Sequence, residues 1–375
     1  MIRLEALNAK HGDALLLHYK NGGKQRFWII DGGPGGTWNK VLRPRLEEIR
    51  GNKSELIVDL AMVSHVDEDH VTGMEQMTRG LVSNARNAPT FLEFRRFWHN
   101  SFADLVGSEA SFQQGMASLA SAQGAAVAAL ASDTSTVRLG SAELEDRREI
   151  AVLASINQGR ELRNHIEKLQ LSGNEPFGDT LSSKSGKKKV DEASVTVVGP
   201  IKSRLDVFRQ KWEDATGKPA AMASLFREDL DDSPTNLSSI VLLVEIGQRR
   251  ILLTGDARGD DVLDGFKDAK LGSKLPMKLD ILKMPHHGSD RNMTEKFLEA
   301  FPADHYIVSA DGRHGNPDPN ALKAIVQVRG NDKYKIHFTN KVGKLPQLMK
   351  KLSEGKKFKF AFRETQDPSI VVELD

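Results

Sequence analysis

Ser64-His65-Val66-Asp67-Glu68-Asp69-His70-Val71-Thr72-Gly73 follows directly on the apolar segment Ile57-Val58-Asp59-Leu60-Ala61-Met62-Val63. His65, Asp67, Asp69 and His70 therefore crowd the end of what reads as a buried strand. A divalent cation needs several oxygen or nitrogen donors converging at about 2.0–2.5 Å, and neither an extended strand nor a regular helix aims neighbouring side chains at one point. A tight turn after a strand can. His65 and Asp67 would leave the strand end on one side, while Asp69 and His70 open the next helix and face the other, so one turn can feed two ions. A polar loop that merely capped a helix would need one carboxylate and no histidine.

His65-Val66-Asp67-Glu68-Asp69-His70 resembles the metal motif of the metallo-β-lactamase superfamily, in the variant whose middle histidine is an aspartate. That variant is typical of the nuclease-like domain of the competence protein ComEC, of its stand-alone relatives, and of bacterial phosphorylcholine esterases. Gly12-Asp13-Ala14 followed by Ile30-Asp31-Gly32-Gly33 is similar to the opening of the ComEC-like group, and Leu279-Asp280-Ile281-Leu282-Lys283-Met284-Pro285-His286-His287-Gly288-Ser289 is similar to a later motif of it. The resemblance implies an αββα sandwich, an α/β (α+β) fold with two sheets face to face and helices outside. It implies a dinuclear site and metal-dependent hydrolysis.

The rest of the chain supplies further donors. Asn236 to Asp256 reads as two apolar strands joined at Gly247, the second ending in an aspartate; by the resemblance, Asp256 is the carboxylate shared by two metals. Many members carry a histidine ligand some twenty residues earlier, where this chain has Asn236, as the ComEC-like group tends to. Asn236 is thus a candidate ligand or a turn-bonding side chain. Side chains of adjacent residues at a strand end point in different directions, so His287 is taken as ligand beside Asp69 and His70. His286 is left to face the cavity, contact a substrate phosphate or protonate a leaving group. Asp13 and Asp31 sit in turns and read as carboxylates that brace the metal loop, with direct ligation of a metal as the alternative. After the strand at His305–Ala310, Asp311-Gly312-Arg313-His314-Gly315-Asn316 places Asn316 where relatives often have a histidine, so His314 and Asn316 are both candidate substrate contacts. His11, His18, His305 and His337 read as ordinary hydrogen-bonded or surface histidines.

Metal donors are thus His65, Asp67, Asp69, His70, Asp256 and His287; Asp67, Asp256 and His286 carry the chemistry. Two cations about 3.5–4 Å apart would bring a shared water to hydroxide near neutral pH, a nucleophile suited to phosphodiesters. The 375 residues contain no cysteine, so no thiolate can ligate or cross-link, and the imidazole–carboxylate mixture suits zinc or manganese.

Length and a hydrophobic content of 39% are compatible with one large domain. The tract of roughly residues 100–190 departs from the motif-bearing pattern. Its Ala-rich run from Ala117 to Leu130 reads as helix, and Ser182-Ser183-Lys184-Ser185-Gly186-Lys187-Lys188-Lys189 as a mobile loop. Residues 100–190 are therefore expected to form a helical insertion near the site, able to dock a protein partner. Arg95-Arg96-Phe97-Trp98-His99-Asn100 mixes cations with aromatics as a nucleic-acid strand would require, though a strand edge leading to a loop is the better explanation. His165, on a charged helical stretch, is expected to be solvated, and Glu228–Asp232 to form an acidic loop. A net charge of +2 gives no global basic field, so any DNA binding would need a local patch. No apolar run reaches the roughly 20 residues of a membrane span, and a cytoplasmic protein is expected. The substrate expected is a phosphodiester, DNA among them; the competing readings are a small-ester hydrolase (a phosphorylcholine-type diester or a lactone) and a defence or toxin module gated by a partner.

Overall fold

A computed structural model describes residues 1–83, 88–123, 144–178, 180–225 and 234–375; the expected acidic loop at Glu228–Asp232 and the end of the Ala-rich run lie outside them. In chain order the strands are β1 (Ile2–Leu7), β2 (Leu15–Asn21), β3 (Lys24–Ile30), β4 (Leu56–Val58), β5 (Leu60–Met62), β6 (Leu92–Phe94), β7 (Phe97–Trp98), β8 (Gly186–Val190), β9 (Ala193–Gly199), β10 (Val241–Ile246), β11 (Arg249–Leu253), β12 (Leu279–Lys283), β13 (Ala303–Val308), β14 (Lys335–Phe338), β15 (Lys359–Phe362) and β16 (Ser369–Leu374). The helices that matter here are α1 (Arg43–Arg50), α2 (Glu68–Val82), α3 (Phe102–Val106), α4 (Glu109–Gln123), α5 (Leu144–Lys168), α6 (Lys202–Ala215), α7 (Pro219–Leu225), α8 (Pro234–Leu237), α9 (Gly259–Asp268), α10 (Glu295–Ala300), α11 (Pro319–Arg329) and α12 (Leu345–Ser353).

Among the described residues one sheet has the order β16-β1-β2-β3-β5-β7 and the other β15-β14-β13-β12-β11-β10-β9-β8. Leu4, Leu17, Trp28, Met62 and Trp98 of the first meet Val195, Leu242, Ile251, Ile281 and Ile307 of the second in one buried layer. A sheet buried on both faces needs a second apolar cover. Leu46 of α1, Met74 and Met77 of α2, and Leu162 and Ile166 of α5 supply it on one outer face. Phe266 of α9, Phe297 of α10, Ile325 of α11 and Met349 of α12 supply it on the other. The layer order is helix, sheet, sheet, helix, as the motifs implied.

Strands β3, β5 and β7 run parallel, as do β11 to β15. Parallel strands deliver their following loops to the same end, and there open α/β sheets form their crevices. Asp31 follows β3, the Ser64–His70 loop follows β5, Asp256 follows β11, His286-His287 follow β12 and Ser309 follows β13. Residues scattered over most of the chain thereby reach one edge of the sandwich.

The segment expected as one strand from Ile57 is broken at Asp59. Its carboxylate accepts from the Phe27 backbone N–H at 2.9 Å and from Arg26 and Arg95 at 2.9 and 2.7 Å. A buried carboxylate so ligated shifts the chain between two sheets: β4 pairs β6, and β5 pairs β3 and β7. Arg96 bonds Asp191 at 2.8 Å, and Phe97 and Trp98 are fully buried. The cation–aromatic run is therefore a strand edge, with no ring left exposed for base stacking.

Helices α3, α4, α6 and α7 pack around Phe102, Phe112, Trp212 and Met222. The basic run taken for a mobile loop is a strand from Gly186 onward, because its hydrogen bonds are satisfied by β9. His165 is buried, 3.1 Å from the Thr78 hydroxyl, and burial first of all holds its imidazole down at about 4, so it is a neutral tie between α5 and α2 rather than a solvated side chain.

The N-terminal loops cross α2 so closely that glycine is required. A Cβ on Gly73 would lie 2.0 Å from the Gly32 carbonyl oxygen, and one on Gly32 would lie 2.3 Å from the Met74 amide. Gly73→Ala is expected to destabilise the protein by about 1–3 kcal/mol or more, read as a lower midpoint in urea unfolding; an unchanged midpoint would mean the two backbones are farther apart.

Candidate metal centre

His70 is the hub. Its Nδ1 lies 2.9 Å from Asp31 Oδ2, which also accepts from the Ser64 hydroxyl at 2.8 Å, while the other oxygen takes the Ser64 amide at 2.6 Å. That pins the ring so that Nε2 looks the other way, 3.4 Å from Asp256 Oδ1, 3.9 Å from Asp69 Oδ1 and 3.3 Å from Nε2 of His287. His287 is arranged in the same sense: Nδ1 donates to the Ser309 carbonyl at 2.9 Å, and Nε2 stands 3.2 Å from Asp256 Oδ2 and 3.3 Å from Asp69 Oδ2. Two imidazole Nε2 atoms and two carboxylates thus face one small volume, each ring fixed from behind, which is how metal-binding histidines are held.

Asp13, His70, Asp256 and His287 have donor atoms all within 4.8 Å of one another, a spacing that by itself would admit Asp13 to the cage. Its oxygens, however, lie 3.6 Å from Nδ1 of His287 and 4.0 Å from Nδ1 of His70, on the rear of both rings, and it is ion-paired with buried Lys283. Asp13 braces; Asp69 occupies the front.

His65 stands beside this group, its ring 4.2 Å from that of His70, with Nε2 3.4 Å from Asp67 Oδ2. Asp67 is the residue before α2, in extended conformation, yet its side chain makes no capping bond. A carboxylate at an N-cap that does not cap is left free for other work. Nε2 of His65 and Oδ1 of Asp256 are buried atoms with no hydrogen-bond partner in the protein. Buried polar groups are normally satisfied, and a divalent cation would satisfy both. The donor set fits: nitrogen and oxygen ligands only, fixed from behind, with unsatisfied atoms on the inner side. Asn236 is buried in α8, and the Ser239 hydroxyl three residues on accepts from the Asp256 amide at 3.2 Å, so that segment supports the tip of β11.

His286 turns aside, with Nδ1 3.0 Å from Asn292 Oδ1 and Nε2 3.7 Å from Asp256 Oδ2, and it keeps some exposure. Asn316 donates to the His286 carbonyl at 3.3 Å, which makes it a brace for this turn; His314 is exposed, its ring 6.1 Å from that of His11. Asp31, His286, His287 and His314 all have left-handed backbone, φ between 42 and 61°. Non-glycine residues pay of order 1–3 kcal/mol for this and hold it only where surroundings enforce it, typically at functional sites.

Lys283, Ser64 and Ser309 escaped the sequence reading. A lone lysine in the otherwise apolar run from Ile281 to Pro285 is the signal that could have found the first; the serines carry none.

Without metal the charges balance internally. Burial by itself would raise Asp256, but His287, then His70 and His286, hold its carboxyl well below the ordinary range. Burial likewise opposes charge on His70 and His287, and Asp256 foremost outweighs it, lifting both well above 6.5. For imidazoles raised in the folded state, the stability they contribute is complete below about 6.5 and is lost as pH rises through the higher folded value. Chelated protein is therefore expected to lose thermal stability as pH is raised from neutrality. A bound ion must displace those protons, so its stabilisation should grow over the same range with proton uptake by the buffer. Melting temperatures with chelator and with zinc across pH 6–9 check this; parallel curves would contradict it. Asp31→Asn, which exchanges the anionic acceptor behind the His70 ring for a neutral amide, is expected to weaken metal binding about 10–100-fold, measured by competition with a chromogenic chelator.

None of the described helices is long and apolar enough to cross a membrane. No protein-family model matches the chain, and no curated protein matches it. Among solved structures, the crystal structure of the metallo-beta-lactamase fold protein YhfI from Bacillus subtilis aligns with 9% sequence identity and a TM-score of 0.39, covering 100% of this chain and 100% of that one.

Proposed function

We propose that the protein is a metal-dependent hydrolase of phosphodiesters, a nuclease or small-diester phosphodiesterase. The observation that carries the reading is the convergence of His70 Nε2, His287 Nε2, Asp69 and Asp256 on one point, with the His65–Asp67 pair alongside. Asp69, His70 and His287 would hold one divalent ion, His65 and Asp67 the other, with Asp256 between them and Asn236 a candidate to complete the second; zinc and manganese both suit these ligands. Such a pair supplies an activated water and a clamp for the charge that builds on phosphoryl oxygens.

The chain's own residues do the rest. Asp31 and Ser309 keep the two Nε2 atoms inward, so the donors stand ready before substrate arrives. Three carboxylates, Asp67, Asp69 and Asp256, leave a pair of divalent ions one net positive charge to meet an anionic ester. His286, steadied by Asn292 and next to Asp256, is placed to give a proton to the leaving oxygen.

The test is to incubate the protein with bis(p-nitrophenyl) phosphate, single- and double-stranded DNA, and RNA, with manganese, zinc or chelator. Metal-dependent cleavage abolished by chelator is expected. Turnover that survives exhaustive chelation would refute the reading, and cleavage of the small ester alone would remove the nuclease from it.

A further inference from the structure

Beside the cage lies a second group that the hydrolytic reading does not use. His11 is buried, with Nε2 3.5 Å from Glu68 Oε2 and 3.4 Å from an Arg313 guanidinium nitrogen. Glu68 is held by the Gly35 amide at 2.9 Å, and Lys10 donates to the Gly35 carbonyl at 3.2 Å. This group is tied to the cage through its backbone. The Asp13 amide donates to the Asp69 carbonyl at 3.2 Å, and the Ser309 hydroxyl to the Gly12 carbonyl at 2.7 Å, which joins the His11 turn, the start of α2 and the loop after β13. Burial, then His11, keeps the His314 imidazole low, and the same ring also senses Asp69 and His287.

Lys10, Arg313 and His314 are exposed. Glu68 is the acidic side chain beside His11, and the Asp311 carboxylate accepts from the Arg313 amide at 2.9 Å. Arg313 has five N–H donors in a planar fork suited to phosphate; one side-chain nitrogen is engaged with His11, and among the described residues no carboxylate lies within ion-pair reach of it. A cationic head group would meet like charge, and quaternary ammonium is recognised by aromatic faces, whereas the ring contact of His11 and His314 is with each other.

Resting on the phosphodiesterase reading, we propose that Arg313, steadied by His11 and assisted by Lys10, is a subsite for a second anionic group, so that the preferred substrate is a phosphodiester carrying another phosphate one linkage away. This is the chemistry of a nucleotide chain or its phosphorylated end, and it is the opposite of a phosphorylcholine ester.

The dinucleotide TpT and its singly phosphorylated forms pTpT and TpTp present the same scissile diester with and without that group. The wild type is expected to show kcat/KM at least about tenfold higher for one phosphorylated form than for TpT, the order of one charge-assisted contact. That ratio should collapse in Arg313→Gln, recover partly in Arg313→Lys, and shrink with salt. Calorimetry of the same phosphorylated dinucleotide with chelator-treated protein gives a readout without turnover, expected to weaken about tenfold in Arg313→Gln. Equal cleavage of all three, or a preference that survives Arg313→Gln, overturns the subsite while leaving the diesterase intact. Failure to cleave any of them, and bis(p-nitrophenyl) phosphate as well, with any metal refutes the diesterase reading instead, and the calorimetric comparison then decides the subsite alone.

Discussion

Asp256→Asn is expected to lower metal-dependent kcat/KM at least about 10³-fold while leaving the fold in place. The side chain is isosteric, so packing at the end of β11 is undisturbed, and the backbone contacts that hold the turn, the Asp256 amide to Ser239 and Asn292 to the Asp256 carbonyl, do not involve the carboxylate. What is lost is the negative charge that stands 3.4 Å from His70 and 3.2 Å from His287. Without it neither cation site keeps its full set of anionic donors, and removal of one preorganised electrostatic contact at a reacting centre alone costs on the order of 10²–10³ in rate. Circular dichroism and bis(p-nitrophenyl) phosphate turnover with manganese or zinc decide the matter. A folded variant with undiminished turnover would show that Asp256 is not at the reacting centre. Chelated Asp256→Asn should also lose most of the alkaline destabilisation of the parent, because Asp256 is foremost among the charges that raise both imidazoles.

The largest stability effect is expected at Lys283→Met. Lys283 is 1% exposed at the end of β12, ion-paired with Asp13, itself 1% exposed. Burial works against the charge on both, and each is held ionised chiefly by the other. Removing one member strands a buried carboxylate, at a cost of about 3–5 kcal/mol. Exchanging both partners for apolar residues of similar size removes the desolvation burden together with the attraction, so Asp13→Leu with Lys283→Met should regain much of that loss. The regained stability would not restore function, since Asp13 also backs His287 and His70; metal affinity should stay low in the double variant. Urea unfolding of the two single variants and the double closes the cycle. A double variant as unstable as the sum of the singles would mean that the two charges do not act as a pair.

The donors at Ser64–His70 were legible because local chemistry left few alternatives. Carboxylates and imidazoles packed after an apolar strand are hard to explain as turn or cap, and the residue before α2 indeed caps nothing. Asp256 and His287 were legible for a related reason: each ends an apolar run, and parallel strands put such ends on one side. Misreadings fell where burial depends on a partner far away in the chain. His165 has a charged neighbourhood in sequence and a dry one in space, because α5 lies across α2. The lysines of β8 look like a loop until β9 offers them a ladder, and the strand from Ile57 looks continuous until Arg26 and Arg95 close on Asp59.

The amino-acid sequence marked the apolar runs and the candidate donors by short-range rules, periodicity setting strand or helix and residue type setting which atoms can bind a cation, while the αββα layer class came from the resemblance of the motifs. Only the tertiary structure decided which nitrogen of each ring faces inward, that Asp13 stands behind the cage while Asp69 stands in it, and that Arg313 meets His11. Those assignments are set by contacts between residues up to about three hundred positions apart, and the orientation of a side chain depends on what packs behind it rather than on its neighbours along the chain.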